Sequence, residues 1–176
     1  MFRLRIGYLL GGITTGLVVL LSFFWTLPDG KLHLVFCAVG QGDAAYIRFP
    51  DGRDMLVDGG PNDLVLQCLG RHMPFWDRYI NIVVLTHPQK DHMQGLISVL
   101  NRFGTDYFVR SDIANTTEGY EKLMDVVKRR NVKEKFVTTG ETIAVGPTTL
   151  SVLWPSGDQI ANVLGATTSN LNDESV

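Results

Sequence analysis

The hydrophobic pattern divides the chain in two. Residues 6–27 carry no charge, whereas from Lys31 onward short apolar runs alternate with polar turns. Wound as a helix at 1.5 Å per residue, the first run is about 33 Å long and reaches across the roughly 30 Å hydrocarbon core of a bilayer. Phe23, Phe24 and Trp25 stand near its far end, where aromatic rings favour the headgroup level, and Pro28, Asp29 and Gly30 close it. Arg3 and Arg5 flank the near end. Positive flanks stay cytoplasmic, so the pattern predicts a single-pass anchor in the cell membrane, N-terminus cytoplasmic and body extracytoplasmic. A cleaved signal would have a shorter apolar region and a small-x-small site, which Trp25, Thr26, Leu27 and Pro28 do not offer. The chain therefore reads as an anchor over residues 1–30, its helix at about 6–27, followed by one domain over 31–176.

In that domain, residues 31–38 are apolar, include Val35 and Phe36, and read as a central strand. Residues 45–49 and 53–57 flank Pro50, Asp51 and Gly52, a hairpin signal. Leu66 and Leu69 give residues 64–72 helical spacing, and residues 80–85 form a buried strand. Leu96, Val99, Leu100 and Phe103 share one face of a helix over 92–103. Residues 107–109 return to strand and 118–131 to helix, before short extended runs around Phe136, 143–145 and 150–153. A hairpin-rich start followed by alternating helix and strand predicts an α/β fold built as a layered α+β sandwich.

Composition narrows the class. Hydrophobic residues at 45% and charged residues at 19% exclude intrinsic disorder and a polytopic membrane protein. The formal net charge is −2, and with Arg3 and Arg5 assigned to the anchor segment the body is mildly acidic. A domain that holds nucleic acid by neutralising phosphates would carry a basic surplus instead. Lys128, Arg129, Arg130, Lys133 and Lys135 read as a solvated helix end complementing the dipole. Cys37 and Cys68 are too few for a disulfide scaffold and match no close metal-ligand pair. They read as buried thiols, with one disulfide open if the body lies outside the cytoplasm.

Three segments could carry chemistry. In the first, the apolar run Val83, Val84, Leu85 enters Thr86, His87, Pro88, Gln89, Lys90, Asp91, His92, bringing two imidazoles and a carboxylate into one loop at the end of a core strand. Those side chains suit zinc and comparable ions; the structural alternative is that Asp91 caps a helix starting at His92 while the histidines pack. In the second, a strand ends in Asp58, Gly59 and Gly60, where Asp58 could be a ligand, a partner to a histidine, or a turn residue. The third is the glycine-bracketed turn Val39, Gly40, Gln41, Gly42, Asp43, Ala44, without the spacing of a P-loop.

Together and in this order, the three segments resemble the metallo-β-lactamase superfamily, and more narrowly the hydrolase-like domain of the ComEC/Rec2 competence proteins. The narrower resemblance rests on residues 39–44, and the whole covers about 32–153. It implies the N-terminal part of a metallo-β-lactamase αββα fold, a metal-dependent hydrolase acting on phosphodiesters in DNA uptake, and zinc as cofactor. His87 resembles a ligand of the first metal, Asp91 a ligand of the second and the catalytic carboxylate, and His92 its neighbouring ligand. Asp58 resembles a structural carboxylate beneath the site, with Asp43, Gly59, Gly60 and Thr86 in support. Implied partners are the membrane and DNA or its uptake machinery; no small molecule is inferable. The chain departs from the family at Gln89, where a histidine belongs, and beside it at Lys90. No histidine follows His92 and no Thr-Gly-Asp segment is present. The expectation is a C-terminally truncated domain whose sheet lacks partners on one face, or a non-catalytic remnant acting as an accessory domain.

Overall fold

A computed structural model describes residues 6–24, 26–113 and 115–154; Arg3, Arg5 and Trp25 lie outside the described residues. The uncharged run forms helix α1 (Ile6–Phe24). Over Gly7–Phe24 its mean hydropathy is 1.8 and none of it is buried, so it is long and apolar enough to cross a membrane and is not a core helix.

The body is a six-stranded sheet in the order β1 (His33–Phe36), β2 (Ala45–Arg48), β3 (Asp54–Val57), β4 (Ile82–Leu85), β5 (Tyr107–Arg110) and β6 (Lys133–Phe136). The first three strands form an antiparallel meander; β3 to β6 run parallel. Each parallel step crosses over through a helix: α2 (Leu64–His72), α3 (Lys90–Arg102) and α4 (Glu118–Arg129). Right-handed crossovers that all advance in one direction put their helices on one face. Val83 and Leu85 of β4 accordingly join Leu69, Leu96, Leu100 and Leu123 in one core.

Alternate residues point the other way. Met55, Ile82, Val84 and Val109 pack with Phe49 and Val137, with Val145 of a second hairpin, β7 (Thr142–Val145) and β8 (Thr148–Ser151), and with Val152 just after it. The expectation that this face lacks partners is thus corrected at its centre, where the hairpin covers it. At the β1 edge, Leu34 and Phe36 remain exposed at 52% and 79%. The layered α/β reading agrees with the sheet flanked by helices.

Local readings differ in four places. Residues 31–38, read as a central strand, give β1 at the edge of the sheet, where it pairs only with β2 among the described residues. Lys133 and Lys135 lie on β6 rather than at a helix end, and Lys133 stands over the Tyr107 ring at 5.5 Å. Lysines on an edge strand also discourage further pairing. Cys37 and Cys68 are not thiols: they form a disulfide tying the chain after β1 to α2. Helix α3 starts at Lys90, not His92.

Candidate functional site

The polar cluster lies at the carboxyl edge of the parallel strands, where β3 and β4 run out and α3 begins. At this edge loops present side chains at the strand ends, the usual place for ligands in open α/β sheets. Directly after β3, Asp58 takes φ 57°, a left-handed conformation that aspartate tolerates better than bulkier residues do. The bend aims its carboxylate at the β4–α3 loop.

Oδ1 of Asp58 accepts from the Thr86 backbone N–H at 2.9 Å. Its Oδ2 accepts from the Thr86 hydroxyl at 2.6 Å and from His92 Nδ1 at 2.8 Å. Having given its hydrogen to Asp58, the Thr86 hydroxyl accepts from His87 Nδ1 at 3.0 Å. One carboxylate thereby assigns Nδ1–H to both imidazoles and the acceptor role to Nε2 of each neutral ring. The rings lie 4.0 Å apart between centroids, and both residues are buried. Asp91 stands at the rim, Oδ2 3.9 Å from His92 Nε2. Burial alone would lower the His92 pKa, but the hydrogen bond to Asp58 and the charges of Asp58, Asp91 and Asp43 raise it above the ordinary value.

The residue that caps α3 is Gln89, in extended conformation at φ −101° and ψ 151°. Its side chain makes no capping bond; its carbonyl accepts from the backbone of His92 and Met93, each at 3.0 Å. Asp91 therefore lies in the first turn, where its charge complements the dipole, and is not the cap. Lys90 is exposed.

Glycines bring the three segments together. Gly59 N–H donates to the His92 carbonyl at 2.7 Å, Gly60 N–H to Asp43 at 2.9 Å, and Gly95 N–H to Gly60 at 2.9 Å. A Cβ on Gly42 would fall on the Asp91 carbonyl, and one on Gly95 would fall on the Gly59 carbonyl. Asp43, exposed, joins the site through its backbone and its charge. The packing role of Gly95 went unread in the sequence, although a glycine between apolar helix positions is a signal of close approach.

Of the residues singled out in the sequence, Asp58, Thr86, His87 and His92 share one hydrogen-bond network and Asp91 stands beside it. Gln89 contributes its backbone to the helix start. Among the described residues, no group of three or more His, Cys, Asp or Glu is spaced to hold a metal ion. A depression of about 560 Å³ opens beside the cluster, lined by Gln89, Asp91, Gln94, Asn115 and Lys122.

No family model matches the chain, and no curated protein does. Among solved structures it is similar to MEM-A1, a subclass B3 metallo-β-lactamase from a soil metagenome library, at 16% identity and a TM-score of 0.49, covering 74% of this chain and 54% of that one. It is similar also to the metallo-β-lactamase fold protein YhfI from Bacillus subtilis, at 18% identity and 0.48, covering 67% and 50%. A third is Zn(2+)-bound PqqB from Methylobacterium extorquens, at 20% identity and 0.47, covering 64% and 42%. The chain spans about half the length of these structures.

Proposed function

We propose that this chain carries the first sheet of a membrane-anchored, metal-dependent hydrolase of the metallo-β-lactamase type, acting on phosphodiesters in DNA uptake. The observation that carries the metal reading is the Asp58 clasp. A carboxylate that takes Nδ1–H from a histidine, directly or through a hydroxyl, fixes the tautomer whose Nε2 can bind a metal. His87, Asp91 and His92 are the side chains that would hold a divalent ion, which when bound would supply a Lewis acid and an activated water. The fit is partial. A catalytic zinc takes about three protein ligands, and the described residues do not group three. What this chain does by itself is orient two imidazoles and hold a carboxylate at their rim.

Anchoring is supported by the apolar α1 and, for a body outside the cytoplasm, by the Cys37–Cys68 disulfide, since such bonds persist in oxidising compartments. The phosphodiester and DNA-uptake part rests on the resemblance over residues 39–44. A second reading, a non-catalytic accessory domain, is favoured by Gln89, which brings no imidazole.

Titration of the full chain in detergent with Co²⁺, a spectroscopic stand-in for zinc, tests the metal reading. Weak binding is expected that His92→Ala abolishes and that Asp58→Asn weakens by about tenfold or more. Absence of any His92-dependent binding would leave the accessory domain.

A further inference from the structure

Contacts between α1 and the body are specific. Trp76 Nε1 donates to Thr26 Oγ1 at 3.1 Å, and the Trp76 ring lies 5.7 Å from that of Phe23 between centroids. Pro28 sits against the β2–β3 turn, where a Cβ on Gly52 would come within 2.6 Å of its Cγ. Asp29 Oδ1 accepts from the Lys31 N–H at 3.0 Å and pairs with His33 Nε2 at 2.9 Å. The outer end of the helix is thus joined to residues 74–79, to the β2–β3 turn and to the start of β1.

These contacts fix a depth. Helix α1 has 19 residues, about 28 Å of rise, so when it crosses a core of roughly 30 Å its last turn lies at the outer hydrocarbon boundary. Trp76 touches Phe23 and Thr26 and must lie at the same level. Phe75, next to it, is 69% exposed, and Trp76 itself is 46% exposed. Trp76 at that level matches the preference of amphipathic rings for the headgroup region, and Phe75 beside it adds exposed apolar surface. Lys31, Arg71 and Arg78 are exposed around the pair, and none of the three is in an ion pair among the described residues. A cavity of about 500 Å³ opens there, lined by Lys31, Arg48, Arg71, His72 and Phe75 among others. Two carboxylates stand among these three cations, Asp29, which pairs with His33, and Asp77, which accepts from the Tyr79 N–H at 3.0 Å.

We infer that residues 74–79 form a second membrane contact, with Phe75 and Trp76 in the outer lipid interface and Lys31, Arg71 and Arg78 against headgroup phosphates. This rests on the anchor reading of α1 and goes beyond it: the body is seated on the bilayer in one orientation. The loop precedes β4, at the amino edge of the parallel strands, whereas the Asp58 cluster follows β3 and β4 at the opposite edge. Seated this way, the cluster faces away from the membrane.

The test uses the full chain with Phe75→Cys, or with Lys122→Cys as a control beside the cluster, each labelled with an environment-sensitive fluorophore. Cys37 and Cys68 are bonded to each other, so the added thiol takes the label. In vesicles of phosphatidylcholine with phosphatidylglycerol, the label at 75 should shift to the blue, be quenched by a lipid-borne quencher and lose quenching by iodide. The label at 122 should keep its emission and its quenching by iodide and escape the lipid-borne quencher. The part of the shift that depends on phosphatidylglycerol should disappear when Arg71→Ser and Arg78→Ser are added. Flotation after alkaline carbonate extraction reads α1 insertion separately. A chain that floats while iodide quenches both positions alike overturns the second contact and leaves the anchor standing; a chain that does not float overturns both.

Discussion

Asp58 is 2% exposed and accepts three hydrogen bonds as a charged group. Asp58→Ala strands the Thr86 N–H and an imidazole N–H in the interior, an expected loss of about 3–5 kcal/mol. Asp58→Asn keeps the left-handed bend and an acceptor for the Thr86 N–H, and its amide can donate to His92 Nδ1 once that ring proton moves to Nε2. Its loss should be nearer 1–2 kcal/mol, about that of one weakened hydrogen bond. Urea midpoints in detergent separate the two; equal losses would place the cost in the backbone bend and not the carboxylate. Asp54, at the head of β3, sets a pH dependence. Burial drives its pKa up to about 6, against the lowering effects of the Tyr46 hydroxyl at 2.7 Å and of Arg48. A carboxyl with a raised folded pKa binds its proton more tightly folded than unfolded, so stability falls as pH rises from about 4 to about 6, by up to about 3 kcal/mol. His92 acts in the same sense over a higher window. Its raised pKa gives stability below the unfolded value of about 6.5 that is lost as pH climbs through the folded one. Asp54→Asn should flatten the acid part of the profile and leave the His92 part; an unchanged acid slope would remove Asp54 as its source.

Helix α3 depends on how closely its backbone approaches the loop after β3. Gly95→Ala drives a Cβ into the Gly59 carbonyl and to 2.7 Å from that of Asn62, and neither backbone atom can swing aside. The helix must shift, at about 1–3 kcal/mol or more, and His92 moves with it. Gly70, in α2, has nothing within 4 Å of a Cβ, so Gly70→Ala should stabilise by about 0.5–1 kcal/mol. Thermal unfolding of the pair should therefore shift in opposite directions; a Gly95→Ala chain as stable as the parent would mean that the α3 contact yields. The disulfide joins residues 31 apart in sequence, and in the chain-entropy account reduction costs about 3–4 kcal/mol. A midpoint unchanged by reductant would show that the bond adds nothing to the fold. Much of this was legible in the sequence. Apolar β4 read as a buried strand because both its faces are covered, and α4 read as a helix from its strong amphipathicity. What escaped were features decided across space. Whether Cys37 meets Cys68 depends on β1 lying under α2, and the start of α3 is set by an extended Gln89 whose side chain carries no capping signal. In β6 the extended run read around Phe136 holds, but placing Lys133 and Lys135 at a helix end missed where the strand begins; it is tied to β5 by Arg110, whose guanidinium meets Glu134 at 2.6 Å and lies 4.4 Å from the centre of the Phe136 ring.

Across the whole molecule, the two ends of the parallel strands differ: the amino edge carries the α1 junction and the exposed aromatic pair, the carboxyl edge the side chains of His87, Asp91 and His92. Three crossover helices cover one face and the β7–β8 hairpin the centre of the other, so the strands that end at the carboxyl edge are packed on both sides. That packing makes a gain-of-donor experiment informative. Gln89 N–H donates to the His87 carbonyl at 2.9 Å, a tight turn around Pro88 that keeps residues 87 and 89 close. The Gln89 side chain caps nothing, so Gln89→His leaves the helix start intact while adding an imidazole beside His87. With Asp91 and His92 the donors then reach the number that a zinc site takes. Zinc retained after dialysis should rise from well below one equivalent toward one. Hydrolysis of a chromogenic phosphodiester should stay at background, because the described residues build one wall of a site whose depression is open to solvent. If the unaltered chain already held stoichiometric zinc and turned the substrate over, Gln89 would have to be a working ligand or a bystander, and the partial-donor reading of this edge would fail.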